Sequence, residues 1–287
     1  MADQENKYTR LAYGSLIDQL GSKYDGIRVI GDVHGQYEAY EEAVKDAIVN
    51  NLFPVQLGDL VDRGEGSYEC LATALWLREQ GHGLFIAGNH EHKHYRYMLD
   101  ENLEIKPHHI PTIKQLENLS NDELFLFLEF MQQKNYVIKW ENFRFSHASY
   151  NPLFEKNENL SKKELRFIHQ YALYGPHYNL ILEEPKLKYS WIEDIPKGVV
   201  CIVGHTTFDD ITLVENDNGG IVYFIDIGCE RREPAKVGYL DIFRNGQIKP
   251  SQRVVKTTTK VLYETARQTI KEFKDKKRGA NVARGID

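Results

Sequence analysis

Cysteine is scarce in this chain: Cys70, Cys201 and Cys229 are the three in 287 residues. Their odd number, wide spacing and lack of a C-x-x-C pair fit reduced, buried thiols better than a disulfide framework. No stretch approaches the roughly 18 apolar residues that a membrane span requires. Residues 1–10 are polar and of mixed charge, so a cytoplasmic protein without a membrane partner is expected. An excess of positive charge is absent too. Lys and Arg total 36 against 42 acidic residues, a formal charge of −6. Charge alone therefore makes no case for tight, sequence-independent binding to a long nucleic acid, whereas short or small anionic substrates stay open. There is no repeat and no Pro-, Gly- or Ser-rich linker. The organisation read from this is one domain over residues 1–250, with a helical insert at about 92–135, and a C-terminal helix with a basic tail over 251–287. With 41% hydrophobic residues, a chain of this length buries the core of a globular enzyme.

Short apolar runs at 27–30, 54–57 and 84–87 each end in glycine, and the segments between them, 37–49 and 68–80, are long enough for helices. That is a βαβαβ alternation, which implies parallel strands and an α/β fold. In the first helix Tyr40, Val44, Ala47 and Ile48 recur at helical spacing, with Glu38, Glu41, Glu42 and Lys45 left for water. After Glu91 the pattern turns helical, with an apolar run at 124–131 opened by Asn121-Asp122-Glu123. This insert is expected to roof the site. Residues 136–140, 143–146, 199–203, 221–227 and 237–243 then read as strands of a second sheet, with turns at Glu141-Asn142 and Asn218-Gly219-Gly220. Leu262, Ala266, Ile270 and Phe273 form a stripe for a docking helix before Lys274, Lys276, Lys277 and Arg278.

Five segments carry the chemistry: Gly31-Asp32-Val33-His34-Gly35, Gly58-Asp59-Leu60-Val61-Asp62-Arg63-Gly64, Gly88-Asn89-His90-Glu91, Ser146-His147-Ala148 and Gly204-His205-Thr206. Each follows a strand-like run, and in an α/β sheet ligands bind beyond the carboxyl ends of the strands. Asp32 and His34 offer one cation an oxygen and a nitrogen. Asn89, His147 and His205 offer a second cation one oxygen and two nitrogens, and Asp59 is the bridge. A carboxylate, amide and imidazole set without thiolate suits Mn²⁺, with Fe, Zn²⁺ or Ni²⁺ compatible, and argues against a structural zinc site. Two such ions form the clamp used for phosphate-ester cleavage, and a hydroxide held between them is the nucleophile.

These motifs, with Ser149 completing a Ser-His-Ala-Ser segment, resemble the phosphoprotein-phosphatase-type branch of the calcineurin-like metallophosphoesterases, over roughly residues 27–228. The resemblance implies a four-layer α/β/β/α sandwich. It implies Asp32, His34 and Asp59 at one metal and Asp59, Asn89, His147 and His205 at the other. It also implies that His90, oriented by Asp62, protonates the departing oxygen, and that Arg63 and Asn89 hold phosphoryl oxygens. The chemistry agrees: a guanidinium fork matches two phosphate oxygens, and an alkoxide leaving group needs a proton from a group of near-neutral pKa.

Residues 166–206 narrow the resemblance further. Tyr174-Gly175, Trp191, Gly204-His205-Thr206 and Asp226-Ile227-Gly228-Cys229 resemble the bacterial branch that includes the phosphatase module of polynucleotide kinase-phosphatase and PrpE-type dinucleoside tetraphosphate hydrolases. The chain departs from that branch at Pro176-His177, where Glu-Thr is usual, and at Glu230-Arg231-Arg232, where Phe-Gly-Gly is usual. A nucleotide or nucleic-acid-end phosphate is the first substrate expectation. A dinucleoside tetraphosphate, a phosphoprotein, and a degenerate metal-binding partner scaffold without turnover are its rivals. Arg166 is a candidate second phosphate-binding arginine. Asp226 is read either as support for a ligand histidine or as a strand-end turn. His92, His94, His108 and His109 are expected on insert surfaces, and Tyr150, Tyr171, Tyr174, Tyr178 and Trp191 in the core rather than around a nucleobase.

Overall fold

The computed structural model describes residues 23–99, 105–133, 136–156, 160–176 and 184–283. The N-terminal segment 1–10, Tyr178 and His177 lie outside them, as do the side chains of His108, Phe273 and the basic tail. Strand β1 (Gly26–Ile30) pairs in parallel with β2 (Leu52–Gln56), and β2 with β3 (Leu84–Phe85). Helices α1 (Tyr37–Val49) and α2 (Ser67–Glu79) make the two crossovers. On α1 the buried positions are Tyr40, Ala43, Val44 and Ala47. Ile48, expected among them, is 52% exposed, because the step of about 100° per residue from Ala47 carries it off the sheet-facing side.

Among the described residues the remaining α-helices are α3 (Asn89–Met98), α4 (Ile110–Leu116), α5 (Asn121–Gln132), α6 (Lys162–Tyr174) and α7 (Thr259–Ala283). The insert thus supplies α4, α5 and most of α3. Helix α5 opens on Ser120, whose hydroxyl accepts from the Glu123 N–H while Glu123 accepts from the Ser120 N–H, a reciprocal cap. On α7, Leu262 and Ala266 are buried and Ile270 is partly so.

The other strands are β4 (Val137–Trp140), β5 (Phe143–Ser146), β6 (Val200–Val203), β7 (Ile211–Glu215), β8 (Ile221–Phe224), β9 (Tyr239–Phe243), β10 (Ile248–Pro250) and β11 (Val254–Thr257). One sheet runs β10-β9-β1-β2-β3 and the other β11-β7-β8-β6-β5-β4. The strand at 237–243, read above as part of the second sheet, instead lies antiparallel beside β1 in the first. Strand β11 pairs with β7, so the second sheet continues past the boundary drawn at residue 250.

Strand alternation sorts the side chains into layers. Ile27 and Val29 of β1 meet Phe143 and Phe145 of β5 and Ile202 of β6 in a core between the sheets. Ile30 of β1, with Cys201 and Val203 of β6, faces the helices instead. The result is an α/β/β/α sandwich in which each buried Ile or Phe adds about 1.5–3 kcal/mol. On the helix side of β1, Arg28 is 2% exposed. Its guanidinium makes a two-pronged pair with Asp241 of β9 at 2.6 and 2.8 Å, and a 2.6 Å bond to Asp46 of α1.

Candidate active site

Every motif lies beyond a strand's carboxyl end: Asp32 and His34 in the loop after β1, Asp59 and Asp62 in the loop after β2, Asn89 at the first turn of α3 after β3, His147 after β5 and His205 after β6. The first two loops are laced together, with the Val33 and His34 N–H groups donating to the Asp59 carbonyl at 3.0 and 2.9 Å. Seven non-glycine residues among those described have positive φ, and five are His34, Asp59, Asp62, Arg63 and His205. That concentration of an uncommon backbone conformation marks a site held by its surroundings. Gly88 and Gly204 leave room for the carboxylates: a Cβ on either would lie 2.1 Å from Asp59 Oδ1 or Asp32 Oδ1, respectively.

Glu91, which the motif reading left without a role, anchors the second loop. Fully buried, its Oε2 accepts from the Asp59 and Gly88 N–H groups, and its Oε1 from those of Leu60 and Val61, at 2.8–3.2 Å. A signal was present in the sequence, since a glutamate three residues after Gly88 stands where a helix-capping carboxylate belongs.

The donor atoms converge in two sets that share Asp59. His34 Nε2 lies 3.7 Å from Asp59 Oδ2 and 3.9 Å from Asp32 Oδ2. His147 Nε2 lies 3.4 Å from Asp59 Oδ1, 3.0 Å from Asn89 Oδ1 and 3.2 Å from His205 Nδ1. His34 Nδ1 donates to the Val61 carbonyl at 3.0 Å and His147 Nδ1 to that of Leu57 at 2.8 Å, which leaves each Nε2 as the nitrogen that would coordinate a cation in place of a proton. Burial, reinforced by His147, pushes His205 down to about 3. Burial, with Asp226 and Asp59 nearby, holds the Asp32 carboxyl well above its usual range. Lone pairs facing lone pairs at such distances repel unless a cation sits among them, so the donor set fits divalent ions.

Beside these sets stands His90. Its Nδ1 donates to Asp62 Oδ2 at 2.6 Å, and its Nε2 faces Asp59 Oδ2 at 3.8 Å. Burial opposes the imidazolium, but Asp59 and Asp62 outweigh it and raise His90 to about 9. His94 and His109, expected on insert surfaces, are instead 1% and 3% exposed, and both bond to Asp62. His92 is half-buried, with Nδ1 2.8 Å from the Tyr174 hydroxyl. Arg63 binds Glu230 and its side chain is 40% exposed. Arg166 lies on the exposed side of α6, and among the described residues no hydrogen bond or ion pair joins it to the site. Asp226 shapes a turn, accepting from the Gly228 N–H and the Thr207 hydroxyl at 2.9 and 2.6 Å, and does not bond a ligand histidine. Tyr150 and Trp191 are buried in the core, and Tyr171 and Tyr174 pack against it.

Residues 27–218 match the family model for calcineurin-like phosphoesterases. A bis(5'-nucleosyl)-tetraphosphatase PrpE of Halalkalibacterium halodurans is 30% identical over 106 residues, 33% of this chain and 43% of that protein. The serine/threonine-protein phosphatase 2B catalytic subunit A2 of Saccharomyces cerevisiae is 43% identical over 74 residues, 24% of this chain and 12% of its own length. The match thus spans less than half of each of these relatives. Among solved structures, one described as a diadenosine tetraphosphatase aligns with TM-score 0.51 at 16% identity, covering 80% of this chain and 95% of that one. A Saccharomyces cerevisiae serine/threonine phosphatase with similarity to human PP5 aligns with TM-score 0.50 at 14% identity, covering 82% of each chain. These two likenesses concern the fold. With the family model spanning most of the sheets and all but the last turns of the site, the chain belongs to the calcineurin-like phosphoesterase family.

Proposed function

We propose that this protein is a dinuclear metal-dependent phosphatase that cleaves the P–O bond of a phosphoester, with a nucleotide or nucleic-acid-end phosphate as substrate. The observation that carries the reading is Asp59, whose two oxygens face two separate groups of donors, one at His34 and one at His147. Asp32, His34 and Asp59 would hold one ion, and Asp59, Asn89, His147 and His205 the other. Divalent ions held there, Mn²⁺ by the oxygen and imidazole character of the donors, would polarise phosphoryl oxygens and would bring the pKa of water from about 15.7 to near 7.

The chain's own groups do the rest. Arg63, half exposed at the rim, turns its guanidinium fork to the phosphoryl oxygens, and the Asn89 amide assists it. His90 has Nδ1 held by Asp62 and Nε2 directed at the site, so the proton given to the departing oxygen leaves from Nε2. Arg166 has no part in this arrangement. The second reading, hydrolysis of a bis(5'-nucleosyl) tetraphosphate, draws on the PrpE relatives. The three cysteines are buried and free, the state that a reducing cytoplasm maintains, and we place the protein there.

The test is turnover of a 3′-phosphorylated oligonucleotide, a 2′,3′-cyclic phosphate, diadenosine tetraphosphate and a phosphopeptide, each measured after chelation and again after adding Mn²⁺. Mn²⁺-restored hydrolysis that is fastest on the oligonucleotide end supports the proposal. Fastest hydrolysis of the tetraphosphate selects the second reading. Undiminished turnover after exhaustive chelation overturns both.

A further inference from the structure

Asp62 is completely buried, yet three imidazoles converge on its two oxygens. His90 Nδ1 lies 2.6 Å from Oδ2, His109 Nδ1 3.0 Å from the same oxygen, and His94 Nε2 2.9 Å from Oδ1. The three come from different places. His90 and His94 are one turn apart on the same face of α3, while His109 ends the short 3-10 turn Pro107–His109 that leads into α4. The backbone of Asp62 is itself fixed, with φ 71° and its N–H donating to the Ser67 hydroxyl at 3.1 Å.

An ionised carboxylate only accepts hydrogen bonds, so each facing nitrogen must carry its hydrogen: Nδ1–H in His90 and His109, Nε2–H in His94. This differs from the His147 and His205 group, where two ring nitrogens 3.2 Å apart share their surroundings with the Asn89 and Asp59 oxygens as a ligand set for a cation. Around Asp62 every contact is a donor to an acceptor at ordinary hydrogen-bond length, and the group is complete without an ion. A carboxylate bonded to His90 alone would be free to rotate about its last torsion, which is broad and two-fold. With His94 on Oδ1 and His109 beside His90 on Oδ2, its plane is set by three directions.

We propose that His94 and His109 are positioning residues of the insert, which lock the Asp62 carboxylate in the one orientation that aims His90 Nε2 at the leaving-group oxygen. Neither touches substrate in this role. They act through Asp62 on His90, so the inference rests on the acid role assigned above. A consequence is that the helical insert is part of the proton-delivery apparatus, not only a cover.

The test compares kcat/KM for an alkyl phosphate with that for p-nitrophenyl phosphate, whose leaving group needs no proton. H94L and H109L remove the donors. H94Q and H109N keep an amide N–H where the ring carries it. Each leucine variant should lower the alkyl-to-nitrophenyl ratio by about 10- to 100-fold, the factor commonly attached to a hydrogen bond with a charged group. H94Q and H109N should return it to within about 3-fold of wild type. The ratio does not depend on how much of a sample is folded. Unchanged ratios in both leucine variants, beside a collapsed ratio in H90A, overturn this inference alone. An unchanged ratio in H90A overturns the acid role itself. A third equivalent of bound metal, lost in H94L and H109L alike, also overturns it by making the group a cation site. Should the leucine variants yield no active protein, long-range ¹H–¹⁵N spectra of the wild type decide. An Nε2–H tautomer for His94 and an Nδ1–H tautomer for His109 support the inference, and either opposite tautomer overturns it.

Discussion

His90 lies between two carboxylates that pull in the same direction: Asp62 fixes its Nδ1–H and Asp59 faces its Nε2. The raised value of about 9 makes it an imidazolium at neutral pH. An acid is needed in its protonated form, so kcat/KM for an alkyl phosphate should fall on the alkaline side as His90 loses its proton, with Asp62 holding that limb above the ordinary histidine range. In H90N that limb should vanish, leaving a slower rate without it, and a pH–rate profile of the two proteins checks this. Glu91 offers a second prediction. Either orientation of a glutamine amide at this position would set an NH₂ group against two backbone N–H donors. E91Q should therefore lower stability by about 2–5 kcal/mol, measured by urea unfolding, and reduce turnover through the displaced 59–61 loop.

Between elements, Arg28 ties β1 to β9 and to α1 through Asp241 and Asp46. Removing it alone leaves Asp241 buried without its partner, so R28M should cost about 3–5 kcal/mol in thermal or urea unfolding, and R28M/D241L should recover most of that. The strands that carry the motifs were readable because each apolar run ends where the chain must turn sharply, at Gly31, Gly58, Gly88 and Gly204. The partner of a strand is another matter. Alternation along 237–243 says that the segment is a strand, but nothing local says that it lies against β1 and not in the second sheet. Strands β10 and β11 escaped notice because Ile248–Pro250 and Val254–Thr257 are only partly buried and carry exposed lysines, and β7 was missed although it is as long as β1. His94 and His109 were misjudged for a similar reason. Their contacts with Asp62 span 32 and 47 residues of sequence, and a histidine's neighbours in sequence do not reveal a carboxylate that far away.

At the scale of the molecule, the fold holds together a site that resists its own assembly. Asp32, Asp59 and Asp226 crowd one another, burial holds Asp32 well above its usual range, and five residues hold positive φ. Divalent ions that bind only the folded chain should offset this. Loading at about 1,000 times Kd would add about 4 kcal/mol. Chelation should thus lower the unfolding temperature measured by calorimetry, Mn²⁺ should restore it, and D59N should show a much smaller response to the metal. A wild-type protein whose unfolding temperature is indifferent to both treatments would count against the metal assignment.

The position of β1 carries a consequence for how the protein is made. One neighbour of this strand, β2, is synthesised almost at once, but the other, β9, is encoded about two hundred residues later, and Arg28 waits across 213 positions for Asp241. At about 5–20 residues per second that is roughly 10–40 s during which a nascent chain on the ribosome presents an open strand edge, with Asp46 the one carboxylate partner of Arg28 already made. Until β9 arrives that edge can pair with another chain, a hazard set by the delay and not by the stability of the folded protein.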